Sequence, residues 1–368
     1  MIYSCYSPTE IIAGEGCVLS FRRFSWLGSR CVIITGKNMH KYNSALSDVQ
    51  TALNNEKIKF CTVKEAENNP SVKSIFSISS DVKAFNADFI IGIGGGSSMD
   101  TAKAVSIAAA NDDLNEDNFF SVDYNAPSLP VILIGTTAGT GSEVMPSAVL
   151  TVKGDIPIKK SIKTRNSYAE FALCDYTYTL SMPEAIAVST ALDTICHSIE
   201  AAYSKKGGEW SKIYGHAALK HTFPALSAFK NGNRDNSLRE RLYFGSILGG
   251  YAINNGGTSF PHSMGYMLTT MHNIHHGFAC AVFISEFVSR ISEICDVSDT
   301  MSACGVNSVD EFMNMIDNIL SAYFEKPHIE QSELEKYAEL AMQMNVNNNY
   351  LNLSFNDCLN IYIHNCGR

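Results

Sequence analysis

The sequence of 368 residues lacks any Cys-x-x-Cys pair, and its eleven cysteines occur singly. Because an odd number of cysteines cannot all pair, we expect reduced thiols rather than a disulfide framework. No uncharged apolar run reaches the roughly 20 residues of a membrane-spanning helix, and the N-terminus lacks the basic and long apolar regions of a signal peptide. These absences predict a cytoplasmic protein.

Basic clusters are also absent, and the formal net charge is -9 with only 18% charged residues. Binding to nucleic acid or to an anionic membrane needs a basic face, so we expect neither partner. The hydrophobic content of 45% and the length allow a large core, and the length favours two domains. The composition is that of an ordinary soluble globular protein.

The first 180 residues alternate short apolar runs with helical stretches, which is typical of an α/β domain with a mostly parallel sheet. The predicted strands are Cys31–Thr35, residues 57–63, residues 88–93 and residues 129–134, and the predicted helices lie near residues 44–54 and 71–86. From residue 181 to 368 the periodicity is helical, with a capping signal at Ser181-Met-Pro-Glu184, which predicts an all-helical second domain. We expect surface loops at residues 204–208, 230–236 and 345–352.

Glycine-rich turns follow two of the predicted strands. Gly94, Gly95 and Gly96 precede Ser97 and Ser98, either of which could cap the next helix, and the second turn begins at Thr136-Thr-Ala-Gly-Thr-Gly-Ser142. Successive glycines let backbone N–H groups approach a diphosphate, and the helix that follows directs its positive end at the anion. The turn matches neither G-x-G-x-x-G nor the Walker lysine motif, and a plain tight turn is the alternative. Two such turns at successive strand ends favour a dinucleotide.

The helical half carries a candidate metal site. Asp193 and His197 are four residues apart and share a helix face, with Cβ atoms about 5–6 Å apart. Four of the ten histidines lie within the fifteen residues from His262 to His276, and such clusters are typical of metal sites. On one helix these two histidines would be about 21 Å apart, so the chain must turn between them to complete the site. The alternative is a solvated aspartate among hydrogen-bonded histidines.

Four motifs together resemble the iron-dependent alcohol dehydrogenases over essentially the whole chain: Gly94-Gly-Gly-Ser-x-x-Asp-x-Ala-Lys103, Thr136-Thr-Ala-Gly-Thr-Gly-Ser-Glu143, Asp193-x-x-x-His197-x-x-Glu200 and the spacing His262…His276-Gly277. The resemblance implies an architecture shared with dehydroquinate synthase, in which a dinucleotide-binding α/β domain precedes an all-helical domain. It also implies the following roles: Asp193, His197, His262 and His276 bind Fe²⁺, with Zn²⁺ as an alternative; Gly94, Gly95, Gly96 and Ser97 hold the pyrophosphate of NADPH or NADH; Thr136, Thr137 and Thr140 line the cofactor; Lys160 lies near its ribose.

The sequence departs from the family pattern at three positions. Tyr266 stands where many members carry a second histidine, on the face of His262, and can relay a proton although tyrosine ionises near pH 10. His275 replaces a common proline, so we take it as a second candidate catalytic residue. Gly36 replaces an aspartate that NAD-using members often carry, and Lys37 beside it could bind a 2′-phosphate. An aspartate there would accept hydrogen bonds from the ribose 2′-OH and repel that phosphate.

The resemblance implies metal-dependent, NAD(P)H-linked reduction of a small aldehyde to an alcohol, and a homodimer is a further expectation. Residues 258–269 and Ile274-His-His276-Gly are most similar to phosphonoacetaldehyde reductases, which implies reduction of phosphonoacetaldehyde to 2-hydroxyethylphosphonate. Lys159, Lys163 and Arg165 are candidate partners for the phosphonate, although each could be a solvated surface charge. The alternatives are a general short-chain alcohol dehydrogenase, a dehydroquinate-synthase-like lyase, for which we would expect a glutamate ligand, and a metal-free binding protein.

Overall fold

A computed structural model describes residues 4–63, 66–152 and 157–367. The chain forms two compact units. The sheet unit comprises the described residues of Tyr6–Thr137 and Gly141–Met182, and the helical unit comprises residues 183–367 with Ala138–Thr140 and residues 4 and 5. The short segment Ala138–Thr140 thus clusters with the helical unit, although the chain on both sides of it belongs to the sheet unit.

The described part of the sheet unit contains eight strands and four α-helices. In chain order these are β1 (Glu10–Ala13), α1 (Cys17–Ser20), β2 (Arg30–Thr35), α2 (Ala45–Asn55), β3 (Lys59–Val63), α3 (Val72–Phe85), β4 (Phe89–Gly94), α4 (Gly96–Ala110), β5 (Val131–Gly135), β6 (Ala148–Val152), β7 (Ile158–Ile162) and β8 (Phe171–Cys174). Six strands pair in parallel in the order β1-β8-β5-β4-β2-β3, while β6 and β7 form an antiparallel pair. The predicted α/β class is confirmed.

Apolar cores cover both faces of the parallel sheet, as expected for strands that are continuous hydrophobic runs. Ile33 and Ile91 face one core with residues of α1 and α2, whereas Val32 and Ile90 face the other with residues of α3 and α4. This alternation follows from the two-residue period of a strand. The cores therefore fix the register of β2 and β4, and with it the position of the turns that follow them.

The described elements of the helical unit are α-helices, which confirms the predicted helical domain. They are α5 (Glu184–Ala202), α6 (Gly208–Lys230), α7 (Asn236–Gly256), α8 (Phe260–His272), α9 (His276–Ala281), α10 (Ile284–Ser292), α11 (Ser298–Cys304), α12 (Val309–Tyr323), α13 (Gln331–Met342) and α14 (Phe355–Cys366). The predicted cap at Ser181 is wrong, because α5 begins at Glu184 and its N-cap residue is Pro183. Among the described residues, none of the helices has the length and apolar character needed to cross a bilayer.

Candidate metal centre and glycine turns

The candidate metal centre begins on α5, most of which is buried. Asp193 and His197 lie one turn apart and are only 3% and 6% exposed, with Asp193 Oδ1 3.7 Å from His197 Nε2. Buried charges are normally paired or bound to a metal because the loss of hydration is costly. A buried carboxylate that faces a buried imidazole one helical turn away is therefore a candidate pair of metal ligands.

Helices α8 and α9 supply the two other predicted ligands. Helix α8 carries His262 and ends at His272, and its C-cap residue Asn273, with a φ of 54°, reverses the chain before α9 begins at His276. The predicted turn between the two histidines is thus confirmed. Asp193 Oδ1 lies 3.3 Å from His262 Nε2 and 3.9 Å from His276 Nε2.

Two glycines allow this convergence. A Cβ at Gly277 would lie 1.7 Å from the carbonyl oxygen of Ser189, so only glycine lets α9 pack this closely on α5. A Cβ at Gly265 would lie 2.9 Å from the backbone nitrogen of Cys280, so glycine also brings α8 against α9. The His-Gly sequence of the motif therefore has a packing function that places His276.

The donor set fits a divalent ion. Two atoms bound to one ion at about 2.0–2.2 Å are separated by about 2.8–4.4 Å, depending on the angle between them. The distances from Asp193 Oδ1 to the three imidazole nitrogens, 3.3, 3.7 and 3.9 Å, all fall in this range. Asp193 Oδ1 and His262 Nε2 are also buried without a hydrogen-bond partner among the described residues. Buried polar atoms without partners are costly, and a shared ion would satisfy both.

Glu200 orients His262. Its Oε1 lies 2.6 Å from His262 Nδ1, and its Oε2 accepts a hydrogen bond of 2.6 Å from the backbone N–H of Ser259. Metal-binding histidines usually donate a hydrogen bond from their other ring N–H in this way, which fixes the ring orientation and makes the imidazole a stronger metal ligand. The contact leaves Nε2 of His262 directed at Asp193.

The pKa values are compatible with metal binding. Burial lowers the pKa of His197 to about 4, so its imidazole is neutral near pH 7. Burial by itself raises the pKa of Asp193, but His197 and the other imidazoles outweigh it and hold the pKa below the usual range. For His262, burial lowers the pKa, while Cys280, Glu200 and Asp193 together raise it well above its usual value. An ion bound at His262 Nε2 would displace the proton from that nitrogen, so metal binding should weaken as the pH falls.

The glycine turns lie at the carboxyl edge of the parallel sheet. Gly94 at the end of β4 pairs with Gly135 at the end of β5, so the two predicted turns are neighbours. Gly94 has a φ of 147°, and Gly95 is the N-cap residue of α4. The prediction that Ser97 or Ser98 caps this helix is wrong, since Gly95 occupies that position and the Ser97 hydroxyl instead donates to the carbonyl of Asn68.

Comparison with known proteins matches both halves of the chain to one family. The family described as iron-containing alcohol dehydrogenase matches residues 8–176, and the C-terminal part of the Fe-containing alcohol dehydrogenase family matches residues 187–366. The chain belongs to the iron-containing alcohol dehydrogenase family. Its membership counts against a lyase related to dehydroquinate synthase and against a metal-free binding protein.

Three relatives illustrate the range of this family. The sulfoacetaldehyde reductase of Bilophila wadsworthia (strain 3_1_6) is 30% identical over 77% of this chain and 74% of that protein. The NAD-dependent methanol dehydrogenase of Bacillus methanolicus is 27% identical over 75% of this chain and 73% of its own length. The crystal structure of an iron-containing alcohol dehydrogenase from Thermotoga maritima superposes with a TM-score of 0.88 at 29% identity, and the match covers 100% of both chains.

In this iron-containing alcohol dehydrogenase, one of the two candidate proton-transfer residues lies beside the metal centre. The ring of Tyr266 stacks on His276, with centroids 5.1 Å apart, and meets the ring of His262 edge-on. His275 is exposed at the N-cap of α9, where its ring contacts Phe278, and the structure does not bring it into the group. Tyr266 is therefore the better placed of the two.

The remaining predicted cofactor residues are distributed over both units. Thr136 and Thr137 follow β5 in the sheet unit, whereas Thr140 clusters with the helical unit, where the adjacent Gly139 carbonyl accepts a 3.1 Å hydrogen bond from Thr194. Lys160 is exposed on β7, with its ammonium group 5.6 Å from the centre of the Phe120 ring.

Sequence reasoning missed two features around the metal centre. The Cys280 thiol is buried one turn after His276, a helical spacing that was visible in the sequence. The Asn-rich stretch predicted as a surface loop contains two buried asparagines, Asn348 and Asn349. Asn349 donates a 2.5 Å hydrogen bond to the Ser259 hydroxyl, so this stretch supports the start of the helix that carries His262.

Proposed function

We propose that this enzyme reduces a small aldehyde to the corresponding alcohol, using NADPH or NADH and a divalent ion held by Asp193, His197, His262 and His276. The ion is Fe²⁺ or Zn²⁺, since one carboxylate and three imidazoles suit both. The observation that carries the proposal is the buried group of donor atoms around Asp193 Oδ1, two of which lack a hydrogen-bond partner among the described residues. A homodimer remains a prediction from the sequence.

When bound, the ion supplies Lewis acidity that polarises the substrate carbonyl, and the nicotinamide cofactor supplies hydride. The side chains of the chain have more specific tasks. Glu200 holds His262 in the tautomer that leaves Nε2 free of a proton and able to bind the ion, and Gly277 sets the position of His276. The Tyr266 hydroxyl, on a ring that stacks against His276, is the group we assign to proton transfer toward the alcohol oxygen.

The glycine turns support the cofactor assignment. Gly94, Gly95, Gly96 and Ser97 lie where a strand passes into the N-terminus of the fifteen-residue helix α4. Backbone N–H groups at such a helix start are a natural site for the cofactor pyrophosphate. Thr136 follows the neighbouring strand, and its backbone N–H donates a 2.9 Å hydrogen bond to the carbonyl of Gly94, which ties the two turns together.

Cofactor choice is expected to depend on Gly36, which follows β2 directly. NADPH should be used at least as well as NADH, because no carboxylate stands at this position and the exposed Lys37 lies beside it. In Gly36→Asp, the ratio of kcat/KM for NADPH to that for NADH should fall by about 10–100-fold, since a hydrogen bond to a charged group contributes about 1.5–3 kcal/mol. The site can accept the change, because an added Cβ would meet nothing closer than the Ser98 hydroxyl at 4.0 Å.

Gly36→Asn is the matched control, since it has the same shape without the charge that repels a 2′-phosphate. It should retain most of the NADPH activity. A wild-type enzyme that strongly prefers NADH, or equal effects of the two substitutions, would refute this role of Gly36.

The substrate we propose is phosphonoacetaldehyde, on the resemblance of residues 258–277 to phosphonoacetaldehyde reductases. The sulfoacetaldehyde reductase relative makes sulfoacetaldehyde a second candidate. Both molecules join a short aldehyde to an anionic group, and an anion needs cationic or N–H donors to offset its desolvation. Of the candidate cations, Lys159 donates to Asn69 and Thr151, and Arg165 packs on the ring of Tyr6.

The deciding experiment measures NADPH and NADH oxidation by the metal-loaded enzyme with phosphonoacetaldehyde, sulfoacetaldehyde, propanal and lactaldehyde. We expect the highest kcat/KM with phosphonoacetaldehyde. A higher kcat/KM with sulfoacetaldehyde would show that sulfoacetaldehyde, and not phosphonoacetaldehyde, is the preferred substrate. A higher kcat/KM with propanal would contradict the proposal of an anionic substrate. Failure to reduce any of the four aldehydes would contradict the proposed reductase activity.

A further inference from the structure

The wall of the metal centre contains a sulfur atom in addition to the four predicted ligands. Cys280 lies on α9 one turn after His276, so the two side chains share a helix face. Potential ligand atoms of Asp193, His262, His276 and Cys280 all lie within 4.8 Å of one another. Cys280 is fully buried and belongs to the same group as the Asp193 carboxylate and the His262 and His276 imidazoles.

The distance between Cys280 and His276 is compatible with a shared ion. A nitrogen at about 2.1 Å and a sulfur at about 2.3 Å from one ion lie about 3.6 Å apart at a tetrahedral angle. Cys280 Sγ is 3.7 Å from His276 Nε2, the nitrogen that also faces Asp193. A second observation points to an ion at this place, because Asp193 Oδ1 and His262 Nε2 are buried without a hydrogen-bond partner in the described part of the chain.

We infer that Cys280 is a fifth ligand of the metal ion, so that the centre is held by one carboxylate, three imidazoles and one thiolate. The inference rests on the metal site of the proposed function. On binding, the thiol loses its proton to solvent and Sγ donates an electron pair to the ion.

A sulfur ligand changes the expected metal preference. Thiolates favour softer ions such as Zn²⁺, whereas carboxylate and water ligands suit Mn²⁺ and Mg²⁺. The ratio of Zn²⁺ affinity to Mn²⁺ affinity should therefore fall when Cys280 is replaced by serine, whose hydroxyl oxygen is a harder donor of similar size.

The test uses full-length protein loaded with Co²⁺, because a cobalt–thiolate bond produces a near-ultraviolet charge-transfer band that nitrogen and oxygen ligands do not. The proteins compared are the wild type, Cys280→Ser, Cys280→Ala and the control Cys304→Ser, which changes a buried cysteine on α11 outside the metal-binding group. We expect one Co²⁺ per chain in each protein, with the band present in the wild type and in Cys304→Ser and lost in both Cys280 variants.

The outcomes separate this inference from the metal site itself. A wild type that binds one Co²⁺ without the band, or a band that persists in Cys280→Ala, would overturn the role of Cys280 and leave the four-ligand site intact. Failure of the folded wild type to bind any Co²⁺, Zn²⁺ or Fe²⁺ would overturn the metal site and this inference with it.

Discussion

Replacing His262 by alanine is expected to remove the bound metal ion and to lower kcat/KM by at least about 100-fold. His262 Nε2 lies 3.3 Å from Asp193 Oδ1, and its loss also leaves the buried Glu200 without its imidazole partner. Losing an outer partner of a ligand typically costs about 10–100-fold in metal affinity, so losing the ligand should cost more. A bound ion is worth several kcal/mol of transition-state stabilisation, and each 1.36 kcal/mol is tenfold in rate. Metal content after dialysis against a chelator, together with NADPH oxidation, measures both effects.

Two further variants make the result specific. His276→Ala should also lose metal, and it should disturb folding less because the His276 side chain is 30% exposed. His272→Ala is the matched control, since His272 ends α8 and contacts Tyr337 and Glu333, outside the metal-binding group. Circular dichroism should show that all three variants fold. If His262→Ala and His276→Ala retained full metal content and activity in the chelator, the proposed site would be wrong.

The sequence predicted the sheet well where strands are continuous apolar runs. The strand predicted at Cys31–Thr35 corresponds to β2 at Arg30–Thr35, and the one predicted at residues 129–134 corresponds to β5 at Val131–Gly135. Strand β1 has exposed ends, and β7 contains two adjacent lysines, so neither has the apolar run that identifies the central strands. These peripheral strands depend on pairing with distant residues, which a local pattern does not show.

Around the metal centre, the sequence predicted the residues that their type and spacing mark as metal ligands. It missed the residues that only tertiary packing brings to the site. The Asp193 and His197 pair has a spacing that helix geometry alone interprets, and the turn between His262 and His276 followed from helix length. By contrast, the proximity of Cys280 to the metal centre depends on close packing of α9 against α5 and α8 through Gly277 and Gly265. The burial of Asn349 likewise depends on a tertiary contact with Ser259 across 90 residues of sequence.

Lys103 is a further case of tertiary packing that the sequence could not reveal. Its ammonium group is fully buried, 3.1 Å from Asp100 Oδ1, and donates to the carbonyls of Ser142, Met145 and Ser147. Asp100 in turn accepts hydrogen bonds from the Ser142 hydroxyl and from the backbone N–H of Val149. Both side chains belong to the motif Gly94-Gly-Gly-Ser-x-x-Asp-x-Ala-Lys103. We assign them to holding residues 142–149 against α4.

Lys103→Met is therefore expected to lower the free energy of unfolding of the sheet unit by about 3–5 kcal/mol, the usual cost of removing one partner from a buried ion pair. Methionine fills much of the same volume but leaves Asp100 and the buried carbonyls without their donor. Thermal unfolding and amide exchange at Val149 measure the effect.

Lys83→Met is the matched control, because its ion pair with Asp112 is exposed and should leave the Tm nearly unchanged. The double variant Lys103→Met with Asp100→Asn should lose less free energy of unfolding than the two single variants lose in sum, since the partners are coupled. Equal and small effects of Lys103→Met and Lys83→Met would show that the buried pair does not hold this segment.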